Sequence, residues 1–242
     1  MDLGLKDRRA LVSAASKGLG RACAKTLADE GAQVFISSRD PAAIEAAGKA
    51  IKAAGWAAAD VSKEGEPEGL VELALQKLGG LDILVVNAGG PAPGTFETTS
   101  VEGWERAFHL TLMSAVRLVK ASLSALKQSG QGRIIFITSV SVRQPIPILV
   151  LSNSLRAGVT GLAKTLSREV APDGITVNCL APDGILTDRL RELNLTAANS
   201  PIGRFGDPSE FAAACAFLCS KQAGYITGQT LGVDGGALLG VH

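Results

Sequence analysis

Apolar residues along the chain fall into two kinds of run. Short blocks with almost no polar break occur at RALVS (9–13), QVFIS (33–37), AAAD (57–60), DILVV (82–86), RIIFIT (133–138), ITVNCL (175–180) and TLGVD (230–234). Their length and their apolar character on both faces predict buried strands. Between them lie longer segments in which apolar residues recur at three- and four-residue spacing, near 18–30, 41–54, 66–78, 102–128, 152–171 and 208–220. That spacing predicts helices with one face on a core. Strands and helices alternate throughout, which predicts an α/β protein with a doubly wound parallel sheet in three α/β/α layers. Asp40-Pro41 and Asp207-Pro208 read as N-caps followed by Pro at the first helical position. No linker, repeat or low-complexity tract divides residues 1–242, so one domain is expected.

Composition narrows the function. The chain has 242 residues, 46% hydrophobic and 19% charged, with a net charge of +1 and no run of Lys or Arg. A nucleic-acid surface is not expected from this balance. No stretch has about 18 uninterrupted apolar residues, so no membrane span is expected. MDLGLKDRRALV lacks a signal-peptide core, which points to a cytoplasmic protein. Cys23, Cys179, Cys215 and Cys219 form no CxxC pair and read as buried reduced thiols. With only His109 and His242 beside them, no metal site is expected.

The first strand runs into SAASKGLG (13–20) and a helix follows directly. Small residues let a backbone approach a pyrophosphate, and a helix N-terminus attracts its charge. The second strand ends in SSRD, where an enzyme selective for NAD would place a carboxylate on the ribose hydroxyls. Here Ser38 and Arg39 stand instead, with Lys17 in the loop, and a guanidinium suits a 2′-phosphate. Asp40 competes for the position, but capping accounts for it. The cofactor expected is NADP(H).

The loop resembles the Thr-Gly-x-x-x-Gly-x-Gly motif of the short-chain dehydrogenase/reductase family, a Rossmann-type fold. Ser13, Gly18 and Gly20 match it, Ala15, Ser16 and Leu19 fill its variable positions, and Ala14 replaces its first Gly, which predicts a slightly re-formed turn. The resemblance extends over essentially the whole chain. Asp60-Val61 is similar to the family's adenine-contacting pair, and Asn87-Ala88-Gly89 to its Asn-Ala-Gly motif. Ser139 matches the catalytic serine, Asn178 and Pro182 the Asn-x-x-x-Pro stretch, and Ile185 and Thr187 the nicotinamide-carboxamide positions. PIGRFGDPSEFAAACAFLCS and YITGQTLGVDGG are most similar to bacterial 3-oxoacyl-acyl-carrier-protein reductases.

The family's Asn-Ser-Tyr-Lys centre is altered. Register places Thr111 at the Asn position, Ser152 at the Tyr position and Arg156 at the Lys position; Asp183 replaces the Gly after Pro182. The single tyrosine, Tyr225, lies in YITG, so no Tyr-x-x-x-Lys exists. Ser152 and Arg156 sit four apart and project from one helical face. A serine is a weaker acid than tyrosine and reaches roughly 4 Å less far, so an ordered water is expected to relay the proton. Arg156 keeps the cation and a hold on ribose but cannot carry a proton. Asp183 or His109 is the second candidate donor. His109, two residues from Thr111, is expected to face away from it.

The resemblance implies reduction of a carbonyl compound to a secondary alcohol, 3-oxoacyl thioesters among the substrates. The alternatives are an NADP(H)-binding sensor or scaffold without turnover and, behind it, a non-redox enzyme. Residues 186–206 occupy the substrate-lid slot, where Leu190, Leu193 and Leu195 could face an apolar substrate and Arg189, Arg191 and Arg204 an acidic one. Leu155, Val159, Leu162 and Leu166 stripe one helix. In resembling proteins this helix and the one at 102–128 build a four-helix interface, so a homodimer or homotetramer is expected.

Overall fold

The computed structural model describes residues 1–191 and 200–240, the side chain of Arg189 excepted. Among these residues seven strands form one parallel sheet: β1 (Arg9–Val12), β2 (Gln33–Ser38), β3 (Gly55–Ala58), β4 (Ile83–Val86), β5 (Arg133–Ile137), β6 (Thr176–Pro182) and β7 (Thr230–Val233). Their order is β3-β2-β1-β4-β5-β6-β7, with Leu11 beside Phe35 and Leu84, and Ile135 beside Val85 and Asn178. The direction of winding reverses between β1 and β4, which opens a crevice at their carboxyl ends.

Alternation along the strands assigns the two faces. Ala10, Val12, Ile83, Val85, Ile135 and Ile137 pack with α1 (Gly18–Asp29), α2 (Pro41–Ala50) and α8 (Pro208–Cys219). Leu11, Leu84, Val86, Ile134 and Phe136 pack with α3 (Glu66–Leu78), α5 (Ser114–Ser129) and α6 (Val150–Glu169). All four cysteines are buried and unpaired. Asp40 caps α2 by accepting from the N–H groups of Ala42 and Ala43, and Asp207 and Glu210 form a capping box on α8. Among the described residues no helix is long and apolar enough to cross a membrane.

Three elements depart from the sequence expectation. The edge strand β3 begins at Gly55, two residues early, because it pairs only with β2 and leaves Trp56 partly exposed. Helix α2 stops at Ala50, where Lys52 turns left-handed (φ +54°). The long helix at 102–128 is interrupted: α4 (Val101–Phe108) passes through a π-helical turn at His109–Met113 before α5. The wider turn frees the Leu110 carbonyl, which accepts the Ser114 hydroxyl at 2.5 Å. A short helix, α7 (Asp188–Arg191), follows β6.

Candidate active site

The carboxyl ends of β1, β4 and β2 build a bed for an anionic dinucleotide. Ser13 donates its hydroxyl to Asn87 O at 2.7 Å and accepts the Asn87 N–H at 2.9 Å, and Asn87 Nδ2 donates to Ala14 O at 3.0 Å. Ala14 has a left-handed backbone (φ +49°). A left-handed backbone at a residue with a Cβ is strained. Gly20 is required by space, since a Cβ there would lie 2.5 Å from Ala14 O and 2.7 Å from Asn87 Nδ2. Gly18 (φ +60°) faces Thr187, whose Cγ2 would be 3.7 Å from a Cβ at that position. Lys17 opens α1 without a side-chain cap, and no acidic residue occupies the first turn. The first amides of α1 therefore keep their donors for an anion. Ser16 belongs to the same loop and Leu19 to the first turn of α1, whereas the Ala15 N–H is spent on Ser37 O at 2.8 Å.

At the other end of the bed, Arg39 is exposed, while Ser38 is buried with its hydroxyl toward Asp40 O. Asp40 is committed to its cap, so Arg39 is the charged side chain facing out where a ribose would lie. Asp60 accepts from the Ser62 hydroxyl (2.7 Å) and N–H (3.1 Å), and its own N–H goes to Glu66. Burial pushes its carboxyl up, but the Ser62 bonds and the charges of Arg39 and Lys63 outweigh that and hold it below its ordinary value. Val61 is buried in the core beside it. A cleft of about 870 Å³ runs from Arg39 and Ser62 past Gly89–Pro93 to His109, Leu110 and Leu151. The sequence reading missed Ser62, Gly90 and Leu110; position beside Asp60, Gly89 and Thr111 was the available signal.

Arg156 and Thr111 line one small cavity beside the end of β5, and Ser152 lies one helical turn from Arg156. Ser139 caps the 3₁₀ turn Val140–Val142 by accepting the Ser141 N–H at 3.1 Å. Ser152 lies in the first turn of α6, one turn before Arg156. Arg156 Nη1 donates to Ile137 O at 2.8 Å and Thr138 O at 3.1 Å, which turns this face of α6 toward the end of β5 and Ser139. Thr111 shares a small cavity with Arg156, Ala88 and Thr138. It is 6% exposed, and its hydroxyl finds no partner among the described residues. His109 is exposed, lines the large cleft and sets its ring edge-on to Phe108 at 5.6 Å.

Asp183 is anchored to β7. Its N–H donates to Val233 O on β7, and its Oδ1 accepts from Gly184 at 3.0 Å. It lines a separate cavity of about 480 Å³ with Asp234, Ile185, Leu190 and Phe205. Burial pushes its carboxyl up, the Gly184 bond pulls it down, Asp234 adds to the rise, and the net pKa is raised. Ile185 is buried and accepts the Thr187 N–H at 2.7 Å, while Leu186 N–H and Gly184 O bond Gly206, so the segment after Pro182 is pinned. Asn178 is spent on the fold, bonded to Ile226 O and Gln229 N–H. In the lid slot, Arg204 forks onto Glu210 at 2.6 and 2.7 Å and Arg191 lies 3.5 Å from Asp188. Leu193, Leu195, the Arg189 side chain and His242 lie outside the described residues.

A parallel sheet with a dinucleotide bed at its switch point and a serine at the end of the next strand defines a dinucleotide-dependent oxidoreductase of the α/β class. Comparison with known proteins agrees. The sequence profile described as enoyl-(acyl carrier protein) reductase matches residues 13–237. The chain is 38% identical over 240 residues to the 3-oxoacyl-[acyl-carrier-protein] reductase FabG of Vibrio cholerae, covering 97% of this chain and 98% of that one. It superposes on L-sorbose reductase from Gluconobacter frateurii, complexed with NADPH and L-sorbose, with a TM-score of 0.94, 32% identity and full coverage of both chains. A 3-ketoacyl-(acyl-carrier-protein) reductase from Brucella melitensis, complexed with NADH, gives a TM-score of 0.92 at 34% identity, covering 97% of this chain and 99% of that one. The chain belongs to the short-chain dehydrogenase/reductase family.

Proposed function

We propose that this chain is an NADP(H)-dependent carbonyl reductase, with 3-oxoacyl thioesters as its first substrate class and an atypical proton donor. The observation that carries the reading is the intact bed: the Ser13–Asn87–Ala14 network, the uncapped start of α1, Gly18 against Thr187, and Arg39 in place of a carboxylate. The cofactor supplies hydride when bound. Lys17 and Arg39 add positive charge for its phosphates, and the α1 amides cradle the pyrophosphate.

Ser139 already accepts one hydrogen bond from Ser141, so its own proton is left to donate to a substrate carbonyl oxygen. Arg156 is fixed beneath it by the Ile137 and Thr138 carbonyls and stabilises the negative charge that develops there. Ser152 holds a water that delivers the proton. Asp183 is the second reading for the donor; its raised carboxyl supports it, and its place in the β7-side cavity opposes it. The same reading has the chain acting in the cytoplasm on small carbonyl compounds, without nucleic acid or membrane. It assembles as a homodimer or homotetramer through α4, α5 and α6, where Ala157, Gly158 and Gly161 leave a face of α6 exposed.

The test is a calorimetric titration with NADPH and NADH, followed by NADPH oxidation with 3-oxoacyl thioesters and simple ketones. Tight NADPH binding with turnover of a ketone supports the proposal. Tight binding without hydride transfer to any ketone in the set makes the chain a cofactor sensor instead.

A further inference from the structure

The amino ends of the strands, opposite the cofactor bed, gather buried positive charge. Arg8 precedes β1, Arg9 opens it, Asp82 precedes β4 and Arg133 opens β5. The Asp82 carboxylate is spent on Arg9. Its Oδ2 accepts the Arg9 Nε and backbone N–H, both at 2.8 Å, and its Oδ1 accepts Nη2 at 2.9 Å. Arg8 and Arg133 are each 5% exposed. Among the described residues neither makes an ion pair.

The acceptors of these two guanidinia are neutral. Gln131 O accepts Arg8 Nη2 at 2.8 Å and Arg133 Nη1 at 3.0 Å, so two cations converge on one carbonyl oxygen. Arg133 also donates to Gly132 O at 2.9 Å and to Ser220 O at 3.3 Å. The buried Arg8 Nε has no partner among the described residues. Carbonyl dipoles solvate a guanidinium without cancelling its charge, and a buried charge without a counter-charge is unfavourable. Burial holds the Arg8 guanidinium below its ordinary pKa, against the pull of Asp82; burial and then the charge of Arg8 lower that of Arg133. Arginine still stays protonated, so both charges remain. The cluster meets solvent at Gln131, an exposed residue whose Oε1 accepts Arg8 Nη1 at 3.3 Å, a long bond. Arg133 Nη2 lies beside exposed Gly224, 3.5 Å from a Cβ built there. The Gly224 N–H donates to the carbonyl of exposed Lys221 at 3.1 Å, which brings a third cation to the rim.

We propose that this cluster is a second anion site: inorganic phosphate displaces the Gln131 side chain and binds Arg8 and Arg133, with Lys221 at the rim. A phosphate offers several charged oxygens to guanidinium forks, where the amide offers one neutral oxygen. An anion bound to the folded chain alone stabilises it. The site lies at the opposite end of the sheet from the bed and is independent of the reductase reading.

The test is thermal melting of the NADP⁺-saturated chain in phosphate and in chloride of equal ionic strength, so that cofactor rather than phosphate fills the bed. At tenfold its Kd, phosphate should raise the melting temperature by roughly 3–6 °C over chloride. Gln131→Glu, at an exposed position, offers Arg8 a carboxylate from within the chain. It should melt higher than the native chain in chloride and lose the phosphate effect. Gln131→Ala clears the mouth without adding charge and should keep the effect. Equal melting of the native chain in both salts overturns the proposal. So does a phosphate effect that survives in Gln131→Glu, which is what the general salting action of phosphate would give. Loss of the effect in Gln131→Ala also overturns it, because the amide and not the guanidinia would then hold the anion.

Discussion

The cofactor bed and the catalytic centre lie on one edge of one sheet and have been treated differently. In the bed, Ser13, Gly18, Gly20 and Asn87 stand where the family has them and are interlocked by short hydrogen bonds. At its one non-glycine departure, Ala14 adopts a left-handed backbone that a glycine would adopt without strain. In the proposed centre, sequence register puts Thr111, Ser152 and Arg156 at the family's Asn, Tyr and Lys positions; Arg156 bonds the Ile137 and Thr138 carbonyls next to Ser139 and shares a cavity with Thr111. Binding a dinucleotide needs a backbone held to a fraction of an ångström. Placing a positive charge and a hydroxyl near a carbonyl tolerates more exchange of side chains. The comparison breaks if the bed proves dispensable or the centre proves idle.

The largest expected effect is on the centre. Ser139→Ala removes the hydroxyl whose proton the Ser141 bond directs outward. Ketone reduction should fall by about 10²–10³-fold, with NADPH affinity unchanged by calorimetry. Unaltered turnover would show that the centre does not use Ser139. Next is the bed. Gly20→Ala drives a methyl into Ala14 O and Asn87 Nδ2; overpacking costs about 1–3 kcal/mol, and it should appear as weaker NADPH binding together with a lower melting temperature. Arg39→Asp should weaken NADPH about tenfold or more and improve NADH, since it exchanges a phosphate partner for a ribose partner. An unchanged ratio of the two affinities would remove Arg39 from cofactor selection.

Asp183 separates the two regions by pH. Its pKa is raised in the folded chain, chiefly by burial, so folding favours the protonated form. The ionised form therefore costs stability as pH rises from the unfolded carboxylate value of about 3.9 through the folded one. Asp183→Asn should raise the melting temperature at pH 7 and leave it unchanged near pH 3, below both values. A variant that is equally stabilising at both pH values would mean that the carboxyl is not the cause.

The alternation of strands and helices, both Asp-Pro caps and the phosphate loop were legible because each rests on local chemistry: apolar periodicity, Asx capping and small residues before a helix. The assignment of Ser152 and Arg156 to the Tyr and Lys positions rests on the spacing of the chain around them, from Ser139 to AGVTGLAKTL. What stayed hidden depended on contacts between distant residues. The π turn at His109–Met113, with the Ser114 hydroxyl on the Leu110 carbonyl, lies within an apolar spacing that reads as unbroken helix. The partners of Arg156 lie on β5, and Asp183 is drawn to β7 rather than to Ser139.

The smallest effect sharpens the comparison most. Ala14→Gly restores the family's residue at φ +49°. Relief of left-handed strain favours the variant by about 1–2 kcal/mol, while the freer unfolded chain opposes it by about 0.4–1 kcal/mol. The balance is a gain of about 0.5–1 kcal/mol, a rise of roughly 1–4 °C for a chain of this length. Because Asn87 already bonds Ala14 O in the strained geometry, NADPH affinity should stay the same. A rise in melting temperature with constant affinity means that the bed has held its shape against a substitution. A gain in affinity would mean instead that Ala14 had already loosened the bed, and that both halves of the site, not the catalytic centre alone, have departed from the family.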